Sequence, residues 1–189
     1  MTASFLDYDR LRKAVLRHHP DIELEIRDGE YVVVVPHDPV SANIVIRLGE
    51  LLNAWVRPRG LGYVLDSNGA FVFPDGDRRS PDVSFVSKAR VPSLPRTPQI
   101  AAIPELVAEV RSCRQTERAV RNQVESLVEK GCSVGLLVDP DRRCVEVYRA
   151  LRRPQGDDGG VVVLNDGDEL TVPEVLPGFS VRVEDIWPD

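Results

Sequence analysis

The chain has 189 residues, 42% of them apolar and 29% charged, and its 24 basic and 30 acidic side chains give a formal net charge of −6. That make-up suits a soluble globular protein and excludes disorder or a collagen-like repeat, and no apolar run approaches the ~20 residues of a bilayer span. Residues 155–189 hold nine acidic groups against one basic group, Arg182, while the rest of the chain is near neutral; no basic stripe marks a nucleic-acid footprint, so any phosphate binding is expected to be local and metal-assisted.

In chain order, residues 5–18 read as a short amphipathic helix ended by Pro20, with His18 and His19 complementing the helix dipole. Asp28-Gly29 is a hairpin turn between two β-prone runs, the second spanning Tyr31 to Val35. Apolar residues at helical spacing from Ile44 to Trp55 predict a helix over 41–56, with Asn43 as its cap and Trp55 in the core. GYVLD, AFVF and DVSFVS read as strands separated by the turn dipeptides Asn68-Gly69 and Asp75-Gly76. Residues 88–104, with four prolines, read as a loop. LVAEV (106–110) is a short strand, and 115–130 is a helix with Val120, Val124, Leu127 and Val128 on one stripe, closed by Gly131. SVGLLVD (133–139) suits a buried strand, and RCVEVYRA and VVVL are further strands around a Gly/Asp-rich loop at 155–160. Trp187 is expected to pin the C-terminal end to the body. The expectation is one mixed α/β (α+β) domain, a sheet flanked by helices, with an N-terminal helix (1–20), a core (21–154) and an acidic C-terminal extension (155–189). The N-terminus lacks an apolar region followed by a cleavage site, and Cys113, Cys132 and Cys144 form neither a disulfide framework nor a CxxC pair, so a reduced, cytoplasmic setting is expected.

The informative local fact is Glu109, an acid inside an apolar strand. An ionised carboxylate there is costly unless it is paired or bound to metal. Arg111 lies two residues on, so one reading is a Glu109–Arg111 ion pair at a sheet end. The other reading takes Asp82, which opens another strand-like run, as a partner that shares one divalent cation, Mg²⁺ or Mn²⁺, with Glu109. Such an ion polarises a phosphodiester and lowers the pKa of an attacking water. His37, in the loop after the hairpin, is a weaker candidate, and Lys130 reads as a surface lysine. Neither GxGxxG nor GxxxxGK[ST] occurs, so no nucleotide cofactor is expected.

Pro81-Asp82 followed at a distance by Glu109-Val110-Arg111-Ser112 resembles the PD-(D/E)xK nuclease superfamily. Together with DGEYVVVVP, NGAFVFPDGDRRSPDVSFVS, LVAEVRS, GCSVGLLVDPDRRCVEVYR and VLPGFSVRVEDIW, in that order, it resembles the Uma-two family of restriction-endonuclease-like proteins. The resemblance covers most of the chain. It implies a restriction-endonuclease-like fold, DNA as partner, a homodimer and a metal-dependent endonuclease. Asp82 and Glu109 would hold the metal, helped by the backbone carbonyl of Val110; an acid on the early hairpin often contributes, and the nearest candidates, Glu25 and Glu30, read equally as solvated hairpin carboxylates. The resemblance also implies a lysine on the helix 14 residues after the glutamate, where this sequence has Gln123. Gln123 shares the stripe of Val120 and Leu127 and so faces the site, but it is neutral. Arg111 occupies the strand position of the superfamily's other lysine pattern, where it could stabilise a developing charge but not act as a base. The departure at Gln123 leaves open a non-catalytic binding or assembly module on the same fold.

Overall fold

The computed structural model describes residues 5–19, 22–34, 36–150 and 161–188. Pro20, Val35 and the loop at 155–160, each of which entered the sequence reading, lie outside them. Helix α1 (Phe5–His18) carries Arg17 and His18 in its last turn, where cations meet the free carbonyl ends. Strands β1 (Glu23–Arg27) and β2 (Glu30–Val34) form the expected hairpin. Asp28 (φ 52°) and Gly29 (φ 80°) both take the left-handed conformation, as a two-residue hairpin loop that follows the strand twist requires. Leu24 and Ile26 pack with Tyr8 of α1, whose hydroxyl donates to the Leu24 carbonyl at 2.6 Å. Side chains alternate along a strand, so Glu25 and Arg27 project from the opposite face.

Helix α2 (Pro39–Val56) starts earlier than the apolar spacing implied. Its cap is Asp38, not Asn43: the Asp38 carboxylate accepts from the Val40 and Ser41 N–H groups at 3.0 and 3.1 Å, and Pro39 fills the first helical position, where a missing N–H costs nothing. Asn43 lies inside the helix.

The strands that follow are β3 (Gly62–Asp66), β4 (Ala70–Val72), β5 (Arg78–Arg79), β6 (Val83–Ser87), β7 (Gln99–Ile100) and β8 (Leu106–Val110). After β8 come α3 (Glu117–Glu129), β9 (Val134–Asp139), β10 (Cys144–Arg149), β11 (Val162–Asn165), β12 (Glu169–Thr171), β13 (Ser180–Arg182) and a 3₁₀ turn, Val183–Ile186. A six-stranded sheet has the order β11-β10-β9-β8-β6-β3. Its pairs are antiparallel except β8–β9, the two strands that α3 connects, because a parallel pair needs a crossover. A five-stranded sheet has the order β2-β1-β5-β4-β7, and β12 and β13 form a ribbon. The fold is therefore the mixed α/β architecture expected, with two short strands, β5 and β7, that the sequence reading placed in turns and loop.

The six-stranded sheet buries both faces. Leu106, Ala108 and Val110 of β8 join Leu136 and Val138 of β9 against Ile44, Leu48 and Leu52 of α2. On the other face Val107 meets Leu127 of α3 and Phe71, while Leu137 packs on Val120 and Val124. The acid-rich C-terminal stretch is not an appendage: Leu170, Val172, Leu176, Phe179, Val183, Ile186 and Trp187 all enter the α2-side core. Trp187 also donates its indole N–H to Asp166 at 2.6 Å, which pins the end of the chain as expected. Trp55 packs against this core and meets Phe179 edge-on. The three cysteines are free, and no described helix is long and apolar enough to cross a membrane.

Candidate metal centre

The site begins with the alternation of β8. Leu106, Ala108 and Val110 face α2, so Val107 and Glu109 face α3. Glu109 alone of this strand is not fully buried. In the antiparallel β6–β8 pair, Val83 lies opposite Ala108; one step further along the same register, Asp82 falls opposite Glu109. The Asp82 carboxylate confirms this placement by accepting from the Val110 N–H at 2.7 Å. The two acids singled out in the sequence thus lie near one another, Asp82 just before β6 and Glu109 near the end of β8, close enough for the charge of Asp82 to act on Glu109.

Glu25 joins them and Glu30 does not. Glu25 is buried and its carboxylate accepts from the Ser80 N–H and from Arg27 Nε, the latter at 2.6 Å. Glu30 is exposed at the hairpin turn. The pKa of Glu109 is raised well above the ordinary carboxylate value, chiefly by burial, then by the charges of Asp82 and Glu25; Arg27 and Arg79 pull it partly back. Glu109 thus feels two like charges, and two guanidiniums offset them.

Arg111 is not one of those two. The Glu109–Arg111 ion pair considered from spacing does not form. The Arg111 guanidinium bonds Asp139 at 2.9 Å and also Asp141, which holds it on the turn after β9 and raises its already high pKa. Gln123, by contrast, faces inward as its stripe implied. With its amide oxygen toward β1, it accepts from both terminal nitrogens of Arg27, at 2.6 and 2.7 Å. Lys130 is no free surface lysine: it bridges Asp28, Asp75 and Asp77 and so ties the hairpin turn to the end of α3. Arg79, buried, bonds Asp77 and Ser126 Oγ at 3.1 and 3.0 Å, a second tie between the small sheet and α3.

Two residues carry more than their sequence suggested. His37 Nε2 lies 2.7 Å from Asp82 Oδ1, and this bond raises the imidazole pKa despite its burial. The Asp38 carboxylate, besides capping α2, accepts from the Cys113 N–H at 2.9 Å, and that bond, with those from Ser41 and Val40, lowers its pKa strongly. Asp38 therefore fixes the start of α2, and with it His37, to the segment leaving β8. The only signal for either was position: both follow Pro36 between a hairpin and a helix.

The donor set fits a hard divalent ion in kind. It offers carboxylate oxygens from the buried Asp82 and the half-buried Glu109, and the charge of Asp82 on Glu109 is an electrostatic cost that a cation relieves. Among the described residues no group of three His, Cys, Asp or Glu side chains is disposed around one ion position.

Comparisons with known proteins agree with this architecture. A crystal structure of "a putative nuclease belonging to DUF820" from Anabaena variabilis superposes with a TM-score of 0.71 at 21% identity, over 86% of this chain and 88% of the other, and so shares its fold. No curated protein matches. Residues 5–184 match the Uma2 family, described as "Putative restriction endonuclease", so with nearly all of its length matched the chain belongs to the Uma2 family.

Proposed function

We propose that the protein is a metal-dependent endonuclease that hydrolyses phosphodiester bonds in DNA, with Mg²⁺ or Mn²⁺ held by Asp82 and Glu109 and by the Val110 carbonyl. The observation that supports this most is the placement of Asp82 opposite Glu109 at the ends of β6 and β8, with Glu109 carrying a raised pKa among like charges. A divalent ion there would supply Lewis-acid polarisation of the phosphodiester and a water activated for attack. The chain's own groups do the rest. The Val110 N–H fixes the rotamer of Asp82, His37 holds its other oxygen, and Glu25 anchors the loop before Asp82 through the Ser80 N–H. Arg111 in this reading braces the β9–β10 turn through Asp139 and Asp141. A homodimer follows from the need for two cuts in a duplex.

Calorimetric titration of Mn²⁺ into the wild type, Asp82→Ala and Glu109→Ala tests the reading. The expected outcome is tight 1:1 binding in the parent and at least about a tenfold loss in each variant, the order found when a metal site loses a supporting group. Equal binding by all three proteins rejects it. One observation favours a second reading, a nuclease fold kept as a binding module: the inward helix position holds the neutral Gln123. If Gln123→Lys creates metal-dependent DNA cleavage that the parent lacks, the second reading holds.

A further inference from the structure

Arg27 and Arg79 both face the acidic cluster, but they are not equivalent. Arg79 has 4% of its side chain exposed and is spent on Asp77 and Ser126. Arg27 stands at the rim with 22% of its side chain exposed. Strand alternation puts it on the same face as Glu25, two residues away, and Glu25 grips only Nε, at 2.6 Å. The outer edge of the guanidinium, Nη1 and Nη2, is turned to one neutral oxygen, that of the Gln123 amide. Gln123 is itself half-exposed.

A guanidinium fork matches the paired oxygens of a phosphate, and the anion adds a charge–charge attraction that a neutral amide oxygen lacks. The amide also sits at the end of a flexible side chain that can swing aside, whereas Glu25 is buried and fixed by the Ser80 N–H. We propose that Arg27 is the phosphate-contacting cation of this site: Glu25 holds its Nε end, Gln123 occupies its outer edge at rest, and a nucleic-acid phosphate takes the place of that amide. Arginine keeps its proton throughout, so its role is to stabilise phosphate charge and not to act as acid or base. The inference rests on the reading that a phosphodiester comes to Asp82 and Glu109, and it places the positive charge of the site on β1, not on α3.

The test is binding of a short DNA duplex, followed by fluorescence anisotropy over a salt series, once with EDTA and once with Ca²⁺. Arg27→Met, which keeps side-chain bulk, is compared with Arg27→Lys and Gln123→Ala, and each is checked for an unchanged melting temperature. Loss of one charge-assisted phosphate contact predicts about a ten- to hundredfold weaker duplex affinity for Arg27→Met and a salt slope smaller by about 1. Arg27→Lys should stay closer to the parent, because it keeps the charge and loses only the fork. Gln123→Ala should bind more tightly than the parent, because no amide then has to leave Arg27. Arg27→Met with unchanged affinity and slope overturns the proposal, as does a parent that binds no duplex in either condition. Gln123→Ala weakening binding as much as Arg27→Met also overturns it, since the amide would then be the contact. Mn²⁺ titration of the parent separates the two ideas. If Mn²⁺ does not bind but Arg27→Met still loses duplex affinity, Arg27 stands and the metal-dependent reading falls.

Discussion

At the scale of single residues, Glu109 is the expensive one. Its pKa is pushed up by burial first and by Asp82 and Glu25 next, so its charged form is penalised in the folded, metal-free protein. The sign follows. A group whose pKa rises on folding contributes stability that is full below its unfolded pKa and is lost as pH climbs through the folded value. Glu109→Gln keeps the shape and removes the charge. In EDTA it should therefore melt a few degrees above the parent at neutral pH, with the difference closing as pH falls toward the ordinary glutamate range. Melting curves over a pH series check this. A variant that melts below the parent at neutral pH would show that Glu109 stabilises the fold instead of straining it. Glu109 stood out in the sequence because an acid in an apolar strand needs a reason, and Asp82 entered as a second acid at the start of another strand-like run. Arg27 was not, because nothing local distinguishes it from any arginine before a hairpin turn; its meaning comes from Gln123, 96 residues away. Arg111 misled for a related reason: two-residue spacing set it beside Glu109, but Asp139 at the end of β9 and Asp141 in the turn that follows hold its guanidinium.

At the scale of elements, α3 is the hinge between the two sheets. Thr116 caps it by accepting from the Ala119 N–H at 3.2 Å. Val120, Val124 and Leu127 bury one side of it, and Gln123, Ser126 and Lys130 reach the small sheet. It lies close to β9 because Gly135 has no side chain. A Cβ there would fall 2.5 Å from Val124 Cγ1 and 2.8 Å from Val128 Cγ2. Gly135→Ala is expected to cost about 1–3 kcal/mol through overpacking, seen as a lower urea midpoint with an unchanged slope. An unchanged midpoint would mean that α3 is free to shift and does not hold Gln123 in place. The long periodic elements were readable because burial imposes 3.6- or 2-residue spacing on them. Strands β5 and β7 have two residues each; they exist only because tertiary pairing finds them, so no local pattern announces them. The start of α2 was misplaced because a capping aspartate before a proline outweighed the first apolar residues of the stripe.

At the scale of the whole molecule, the site is an intersection. β1 brings Glu25 and Arg27, the segment before β6 brings Asp82, β8 brings Glu109 and Val110, α3 brings Gln123, and the loop before α2 brings His37. The ion pairs of the half-buried Lys130 and the buried Arg79 keep the five-stranded sheet on α3, so the acids and the guanidinium are held by the fold and not by a flexible loop. Acid charge at the C-terminal end, which looked like an extension in the composition, belongs to a segment whose apolar residues complete the α2-side core. The measurement that bears most directly on the account is a crystal structure of the protein soaked in Mn²⁺, read by anomalous diffraction. One strong peak bounded by the Asp82 and Glu109 carboxylates is expected, absent from Glu109→Ala crystals. No peak at that position, or a peak that survives Glu109→Ala unchanged, would contradict it.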